Sequence, residues 1–326
     1  MHHRGGACRR VAIHRPACRL YARGLLTMQL RHLLIALVVP LTWGFGFALA
    51  KAGLDHFPPL LLMSMRFAIA AAILVWLVPV PRGHWWSLTI ITLVSATLQY
   101  GMTFSGLARI DATPAVLLVQ SEVIFGTLMA AVILKERPTL RQLVGTGVSL
   151  AGIVMIVGAP SLAGQMTGVV LVLSGCLCWA FGQILVRRLG DALSGFQLTA
   201  WIGMLAAPQM FIASILFEGD PWPALQAAPA SAWITVAYLG IVMTVIGYSA
   251  WYFVLARYPV PLVMPVLLLL PVSTILGAVT FLGERPDAWV LVGGAVVITG
   301  VGVVVIDPEA MRKKMHDDMD RGKSPS

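Results

Sequence analysis

The sequence has 326 residues, of which 58% are hydrophobic and only 11% are charged, with a net charge of +9 and a mean hydropathy of +0.85. A water-soluble domain carries about a quarter of charged residues, so this chain has too few polar side chains to cover a globule in water. The apolar residues form long continuous runs, and this disfavours the alternating pattern of a membrane β-barrel. The composition therefore predicts an all-α protein that crosses a membrane several times.

Ten transmembrane helices are predicted. A bilayer core of about 30 Å requires about 20 apolar residues in helical form. The breaks between such runs fall where proline ends a helix, as at Pro58-Pro59 and Pro221-Trp222-Pro223. The connections are short, and none is long enough to form a second domain. The ten predicted spans lie near residues 32–51, 59–79, 85–107, 114–134, 142–158, 167–187, 195–217, 231–255, 262–282 and 288–306.

Lysine and arginine residues are distributed unevenly over the predicted loops. With the N-terminus in the cytoplasm, the outer side holds only Lys51, Arg109 and Arg285. The inner loops then hold Arg82, Lys135, Arg137, Arg141, Arg187, Arg188 and Arg257. Cytoplasmic loops carry an excess of basic residues, so both termini are predicted to be cytoplasmic. The charges are spread over tails and short loops, which argues against nucleic-acid binding.

The two tails are predicted to lie outside the membrane. Residues 1–27 are rich in arginine and lack the apolar core and cleavage site of a signal peptide. They are predicted to be a disordered basic extension, with a membrane-surface anchor as the alternative. Met28, directly before the first span, leaves open whether the extension is translated. Residues 307–326 are predicted to form a charged cytoplasmic tail.

The second half of the chain repeats the first. The stretch LARI…LKERPTLRQLVGTG aligns without a gap with LARY…LGERPDAWVLVGGA, at an offset of 148 residues. At this offset Glu136 matches Glu284, and Tyr100 matches Tyr248. The TWGFG and CWAFG stretches of the first span of each half match at a different offset.

Two repeats of five helices are therefore predicted, over residues 28–158 and 167–306. Because five is odd, the second repeat must enter the membrane from the opposite side. Inverted repeats of this kind are typical of secondary transporters, which bind substrate between the two repeats. A duplicated scaffold without a transport role is the alternative.

Three stretches of the sequence resemble the EamA family of the drug/metabolite transporter superfamily. They are PLTWGFGFALAKAGLDHFPPLLLMSMRF, LKERPTLRQLVGTGVSLAGIVMI and GYSAWYFVLARYPVPLVMPVLLLLPVSTILG, and the similarity runs over roughly residues 30–306. In style the chain is similar to bacterial exporters of cysteine and O-acetylserine. The resemblance implies a ten-helix carrier of the bacterial inner membrane that exports small metabolites. Many relatives carry Asn where this chain has Gly46, so the resemblance leaves the substrate open.

Two charged residues lie deep inside predicted spans. Glu122, in LVQSEVIFG, is about eight residues or ~12 Å into span 4, and Arg66 is about seven residues or ~10 Å into span 2, from the same side. A charge at this depth costs several kcal/mol, so both are predicted to face protein or water. The functional interpretation is that Arg66 orients a substrate carboxylate and that Glu122, within its reach, takes up an amine or a proton. A structural ion pair is the alternative.

Other polar and aromatic residues within the spans are weaker candidates for a substrate site. Equivalent positions of an inverted repeat meet around its pseudo-two-fold axis, where aromatic rings could form the wall of a cavity. Ring packing and an interfacial belt are the alternatives. The candidates are Trp43, Trp179, Tyr100 and Tyr248, together with Gln183 as a neutral hydrogen-bonding residue. Lys51 and the two Glu-Arg-Pro corners are interpreted as helix ends, not as ligands.

The favoured function is a secondary exporter of small metabolites, amino acids or their derivatives, working by alternating access. Its expected partners are a small-molecule substrate and membrane lipid, while proton coupling and a homodimer are open options. A drug-efflux carrier and a lipid flippase of the same superfamily are the alternatives. An enzyme is not expected, because no cluster of His, Asp or Cys residues lies at one depth. Neither a metal nor a cofactor is predicted, and no P-loop for ATP is present.

Overall fold

The computed structural model describes residues 30–133, 135, 138–255, 257–258 and 263–305, and these residues form an all-α protein. The predicted tails, 1–27 and 307–326, lie outside them. Among the described residues nine helices are long and apolar enough to cross a bilayer, and a tenth apolar helix, α9, is shorter, which supports the predicted ten-helix architecture. The helices are α1 (Leu30–Gly53), α2 (Pro59–Leu77), α3 (Trp85–Leu107), α4 (Ala112–Ile133), α5 (Leu140–Val157), α6 (Met166–Leu189), α7 (Gly195–Phe217), α8 (Ala230–Val254), α9 (Val266–Leu282) and α10 (Ala288–Val305).

Several helices begin or end at residues that satisfy the free backbone groups of a helix terminus. Thr139 begins α5 with a capping box completed by Gln142, and Ser194 begins α7 in the same way with Gln197. In such a box each side chain bonds the backbone N–H of the other residue. Gly283 ends α9 in the left-handed conformation, with φ of 67°, which glycine adopts without a steric penalty.

The packing of α5 against α10 shows how the two repeats are related. A Cβ at Gly145 would lie 2.7 Å from the carbonyl oxygen of Gly300, and a Cβ at Gly152 would lie 2.7 Å from that of Gly293. The missing side chains allow the two backbones into close contact. At the offset of 148, Gly145 is equivalent to Gly293, and Gly152 to Gly300. Each of these glycines nevertheless packs against the glycine of the other pair and not against its own equivalent. Equivalent helices therefore cross antiparallel, so the repeats are inverted.

The remaining helix contacts follow the same pseudo-symmetry. The equivalent helices α2 and α7 pack together, where the Ser64 hydroxyl donates to the Ala207 carbonyl over 2.9 Å. Helix α1 packs on α8 and α9 of the second repeat, and its equivalent α6 packs on α3 and α4 of the first. The first helix of each repeat thus packs against helices of the other repeat.

Two transmembrane helices contain π-helical segments at equivalent positions. These are Leu93–Leu98 in α3 and Tyr238–Ile246 in α8, and their last residues are 148 positions apart. A π-helical turn contains an extra residue and disturbs the regular backbone hydrogen bonds, often at a functional site. The segments place Tyr100 and Tyr248 just after this distortion in each repeat.

The fourth helix of each repeat is also irregular. Helix α4 is interrupted at Gln120, between Ala112–Val119 and Ser121–Ile133. In its equivalent, α9, a 3₁₀ segment (Met264–Leu269) precedes the α-helical part. Glu122 therefore lies in the first turn after the interruption of α4.

Large apolar side chains cover the outside of the helix bundle. Trp76, Phe217 and Val132 are 83%, 82% and 78% exposed. An apolar surface of this kind is stable in lipid and not in water. Together with the span lengths, it identifies a multi-pass membrane protein.

Candidate functional site

Arg66 is the largest side chain that the fold buries completely, with 1% of its surface exposed. It projects from α2 between α3 and α8. Its Nε donates to the Thr244 hydroxyl oxygen over 2.9 Å, and Nη1 lies 3.8 Å from the sulfur of Met63. In the described part of the chain no carboxylate forms an ion pair with Arg66. The site is therefore a buried cation whose charge none of the described residues neutralises.

Aromatic rings surround the guanidinium. Its central carbon lies 4.9 Å from the ring centre of Tyr100 and 5.3 Å from that of Phe67. The two rings meet edge to face at 5.1 Å. The negative face of an aromatic ring attracts a cation, most strongly where water is excluded. The rings therefore compensate part of the hydration that Arg66 loses.

Two more of the predicted residues join this group. Tyr248 lies close enough to Tyr100 for the two side chains to interact electrostatically, and the Trp43 ring lies 4.9 Å from the Tyr248 ring. The indole N–H of Trp43 donates to the Met243 carbonyl over 3.0 Å. We call Arg66, Tyr100, Tyr248 and Trp43 the Arg66 cluster. It contains residues of both repeats, as expected for a site on a pseudo-symmetry axis.

Glu122 lies on α4 and interacts with a residue of α6. It is half-buried and interacts with Cys176 of α6, whose thiol also approaches the carbonyl oxygens of Leu118 and Val119 at 3.7 and 3.8 Å. Over the described ranges Glu122 forms no ion pair, so the alternative interpretation, a structural ion pair with Arg66, is not found there. A position of Glu122 within reach of Arg66 stays a prediction. The part of α4 that carries Glu122 packs on α6.

The remaining two predicted residues, Trp179 and Gln183, both lie on α6. Gln183 is exposed, and Trp179 is half-buried. The equivalent of Trp179 in the first repeat, Trp43, packs against Tyr248, whereas none of the ring contacts within the described ranges involves Trp179. A role of Trp179 and Gln183 in binding substrate stays a prediction.

The structure adds residues that the sequence did not single out. Thr244 and Phe67 contact the guanidinium directly. Gln99, next to Tyr100, is 4% exposed, and its side-chain oxygen has no hydrogen-bond partner among the residues described. One pattern in the sequence could have indicated Thr244 and Gln99, namely a single hydroxyl or amide side chain within an apolar run. Thr244 in GIVMTVIG is an example. Such a residue must find a polar partner inside the membrane.

The charged residues at helix ends stabilise those ends. Lys51 donates to the Leu107 carbonyl, the last of α3, over 2.9 Å. Glu284 accepts the backbone N–H groups of Ala112 and Thr113, at the start of α4, over 2.6 and 3.1 Å. These contacts agree with the interpretation of Lys51 and the second Glu-Arg-Pro corner as helix ends. In the first corner, Glu136 and Arg137 lie outside the described residues.

The Arg66 cluster has the chemistry of a binding site for a small amphipathic anion. A guanidinium has five N–H donors, and here only Nε has an oxygen acceptor among the described residues. The terminal nitrogens can therefore bind a carboxylate through two parallel hydrogen bonds. The adjacent rings offer apolar surface to the rest of such a molecule.

Known proteins share this fold and sequence. One solved crystal structure superposes with a TM-score of 0.61 over 86% of this chain and 98% of its own, at 22% identity, which shows the fold alone. A "Probable amino-acid metabolite efflux pump" of Salmonella typhimurium is 29% identical over 83% of this chain and 93% of its own. An "Uncharacterized transporter" of Archaeoglobus fulgidus is 30% identical over 83% and 95%.

A third relative, a "Probable terminal-alkyne amino-acid exporter" of Streptantibioticus cattleyicolor, is 29% identical over 85% of this chain and 94% of its own. The model of the EamA-like transporter family matches twice, over residues 30–158 and 166–306. These matches cover most of the chain and agree with the resemblance found in its motifs. The chain therefore belongs to the EamA-like transporter family.

Proposed function

We propose that this transporter exports amino acids, or derivatives that keep the free carboxylate, across the bacterial inner membrane by alternating access. Arg66 binds the carboxylate, and the rings of Tyr100, Tyr248 and Trp43 contact the remainder of the substrate. Transport requires the site to open first to one side of the membrane and then to the other.

The observation that carries this proposal is the burial of Arg66 without an anionic partner in the described part of the chain. A buried cation is costly unless it is paired, and a charged residue inside a transmembrane segment marks a substrate or ion pathway in many transporters. The missing anion is therefore the substrate. A carboxylate fits the planar guanidinium better than a single-point anion, because it accepts two parallel hydrogen bonds.

Two further observations support an amino-acid exporter. The relatives from Salmonella typhimurium and Streptantibioticus cattleyicolor carry names that refer to efflux of amino-acid metabolites and export of an amino acid. The antiparallel crossing of α5 and α10 also supports alternating access, because two inverted repeats can exchange conformations and thereby reverse the side on which the site opens.

The test is transport by the purified protein in liposomes. Uptake of the twenty L-amino acids and of O-acetyl-L-serine is measured, and each transported acid is compared with its carboxamide. We expect the acids to be preferred. Arg66→Gln should lower the affinity for the best acid by at least about tenfold, since a hydrogen bond to a charged group contributes about 1.5–3 kcal/mol. Arg66→Lys should lie in between, because an ammonium cannot form the two parallel bonds.

Arg109→Gln is the matched control, because this arginine is exposed and, among the described residues, its guanidinium bonds only the Ser105 carbonyl near the end of α3. It should transport like the wild type. The proposal is wrong if no acid is transported, or if Arg66→Gln keeps the wild-type affinity. Transport of carboxamides and apolar cations as fast as acids would favour a drug-efflux carrier. Movement of a fluorescent phospholipid between leaflets would favour a flippase.

A further inference from the structure

Thr244 is placed so that it can orient the guanidinium of Arg66. Its hydroxyl oxygen accepts from Arg66 Nε over 2.9 Å, and the same hydroxyl donates to the Leu239 carbonyl over 2.8 Å. A hydroxyl has one hydrogen, so a hydroxyl that donates to a carbonyl turns its lone pairs toward other partners. Thr244 and Arg66 are each 1% exposed, so water does not compete for this bond.

The π-helical segment of α8 makes this arrangement possible. In a regular helix a threonine hydroxyl bonds the carbonyl three or four residues earlier. Thr235 does so in the first turns of α8, where its hydroxyl donates to the Ser231 carbonyl over 3.2 Å. Thr244 instead reaches Leu239, five residues earlier, inside the segment Tyr238–Ile246. The widened turn therefore fixes where the hydroxyl oxygen points.

We propose that Thr244 is the positioning residue of the substrate site, which holds the Arg66 guanidinium so that a carboxylate binds end-on to its two terminal nitrogens. This inference rests on the proposed function and extends it to a specific binding geometry. With Nε occupied by Thr244, the side-on mode through Nε and one terminal nitrogen is not available. The rings of Tyr100 and Phe67 fix the plane of the guanidinium, and Thr244 fixes its rotation within that plane.

The two repeats contribute different parts of this site, so the charge and its orientation can be changed separately. The cation comes from α2 of the first repeat, and the residue that orients it comes from α8 of the second. Removal of the Thr244 hydroxyl should leave the charge in place but free the guanidinium to turn. A carboxylate would then lose the alignment of its two parallel bonds. A carboxamide has only one acceptor oxygen and cannot form this parallel pair, so it would lose much less.

The experiment compares two changes of the same kind on the same helix. Thr244→Val and Thr235→Val both replace a hydroxyl by a methyl group of similar size, and both threonines are buried. The best-transported acid of the amino-acid panel and its carboxamide are the probes, and equilibrium binding and transport are measured in lipid. We expect Thr244→Val to weaken binding of the acid by about tenfold, with its carboxamide changed less than threefold. Thr235→Val should change neither.

Thr244→Ser separates the hydroxyl from the packing of the side chain. The serine keeps the hydroxyl and should bind the acid within about threefold of the wild type. A serine variant as weak as Thr244→Val would assign the effect to the lost methyl group and overturn the inference. If the valine variant does not fold, Thr244→Ala replaces it with the same expectations.

The outcomes also distinguish this inference from the proposed function. If Arg66→Gln loses the preference for acids while Thr244→Val keeps the wild-type preference, Arg66 binds the substrate without help from Thr244, and the inference alone is wrong. If Arg66→Gln behaves like the wild type, the proposed function is wrong, and the inference falls with it. An equal loss for acid and carboxamide in Thr244→Val would indicate a structural role and would also contradict the inference.

Discussion

At the scale of single residues, Glu122 is the acidic group with the most unusual environment. It lies just after the interruption of α4, half-buried beside Cys176, and forms no ion pair among the described residues. A carboxylate inside a membrane span is costly and marks a proton or substrate pathway in many transporters. We predict that Glu122→Gln, which keeps the size of the side chain but cannot titrate, folds normally and loses the acceleration of transport by a pH gradient.

The measurement is the transport rate of the best acid in liposomes with and without an imposed pH gradient. Asp55→Asn is the control, because this carboxylate lies exposed at the end of α1 and its change should leave the response to the gradient intact. A response of Glu122→Gln equal to that of the wild type would exclude proton coupling through this group.

Arg66 and Glu122, the two charged residues inside the spans, show what a sequence can predict about single residues. The cost of a charge in lipid correctly predicts that Arg66 is enclosed by protein. The position of Glu122 within its reach was inferred from similar depth. No ion pair joins the two side chains among the described residues, and their proximity stays a prediction. Depth along a helix fixes the height of a side chain in the membrane but not the neighbouring helix that it faces. That choice depends on helix packing, and the part of α4 after the interruption at Gln120 packs on α6. The apolar run around Gln120 gives no signal for the interruption.

At the scale of helices, two glutamates connect the second repeat to helix starts in the first. Glu284 follows α9 and accepts from Ala112 and Thr113 of α4. Glu218 follows α7 and accepts the backbone N–H groups of Leu60 and Leu61 in α2, over 2.7 and 3.2 Å. A helix N-terminus has four backbone N–H groups without internal partners and a positive end of the helix dipole, so a carboxylate is favourable there.

We predict that Glu284→Ala lowers the stability of the protein by about 1–2 kcal/mol, as expected for loss of a helix cap. Glu284→Gln should cost less, because its amide oxygen still accepts a hydrogen bond. The measurement is thermal unfolding in detergent, with Arg285→Ala as the control, since this neighbouring side chain is exposed. A Glu284→Ala protein that unfolds at the wild-type temperature would show that water replaces the cap without loss.

Helix geometry was only partly predictable. The presence of the spans follows from their hydropathy, and the Glu-Arg-Pro corner correctly indicated a helix end at Glu284. The helix that Glu284 caps lies 172 residues earlier in the chain, a distance over which no local pattern operates. The π-helical segments were not predicted either. Periodicity identifies helix type only where polar and apolar residues alternate, and YLGIVMTVI is apolar on nearly every side.

At the scale of the whole molecule, the internal repeat was the most informative feature of the sequence. The gapless match at an offset of 148 residues indicated that the two halves are equivalent, and the odd number of spans in each half indicated their inversion. One contact shows the equivalence and the inversion directly. The Ser149 hydroxyl donates to the carbonyl of its own equivalent, Val297, over 3.2 Å. Equivalent residues can touch only on the pseudo-two-fold axis, so this contact locates the axis between α5 and α10.

The inversion also limits the topology of the chain in the membrane. Two inverted repeats of five helices place the start of α1 and the end of α10 on the same side of the membrane. The excess of basic residues in the loops on that side predicts that this side is cytoplasmic. We predict that alkaline phosphatase, which is active only outside the cytoplasm, is inactive when fused after Asp307. The same enzyme inserted at Asp55, between α1 and α2, should be active. Activity at Asp307 together with inactivity at Asp55 would show that the whole chain is inserted the other way round. Activity at both positions would require an odd number of spans and would contradict the paired five-helix repeats.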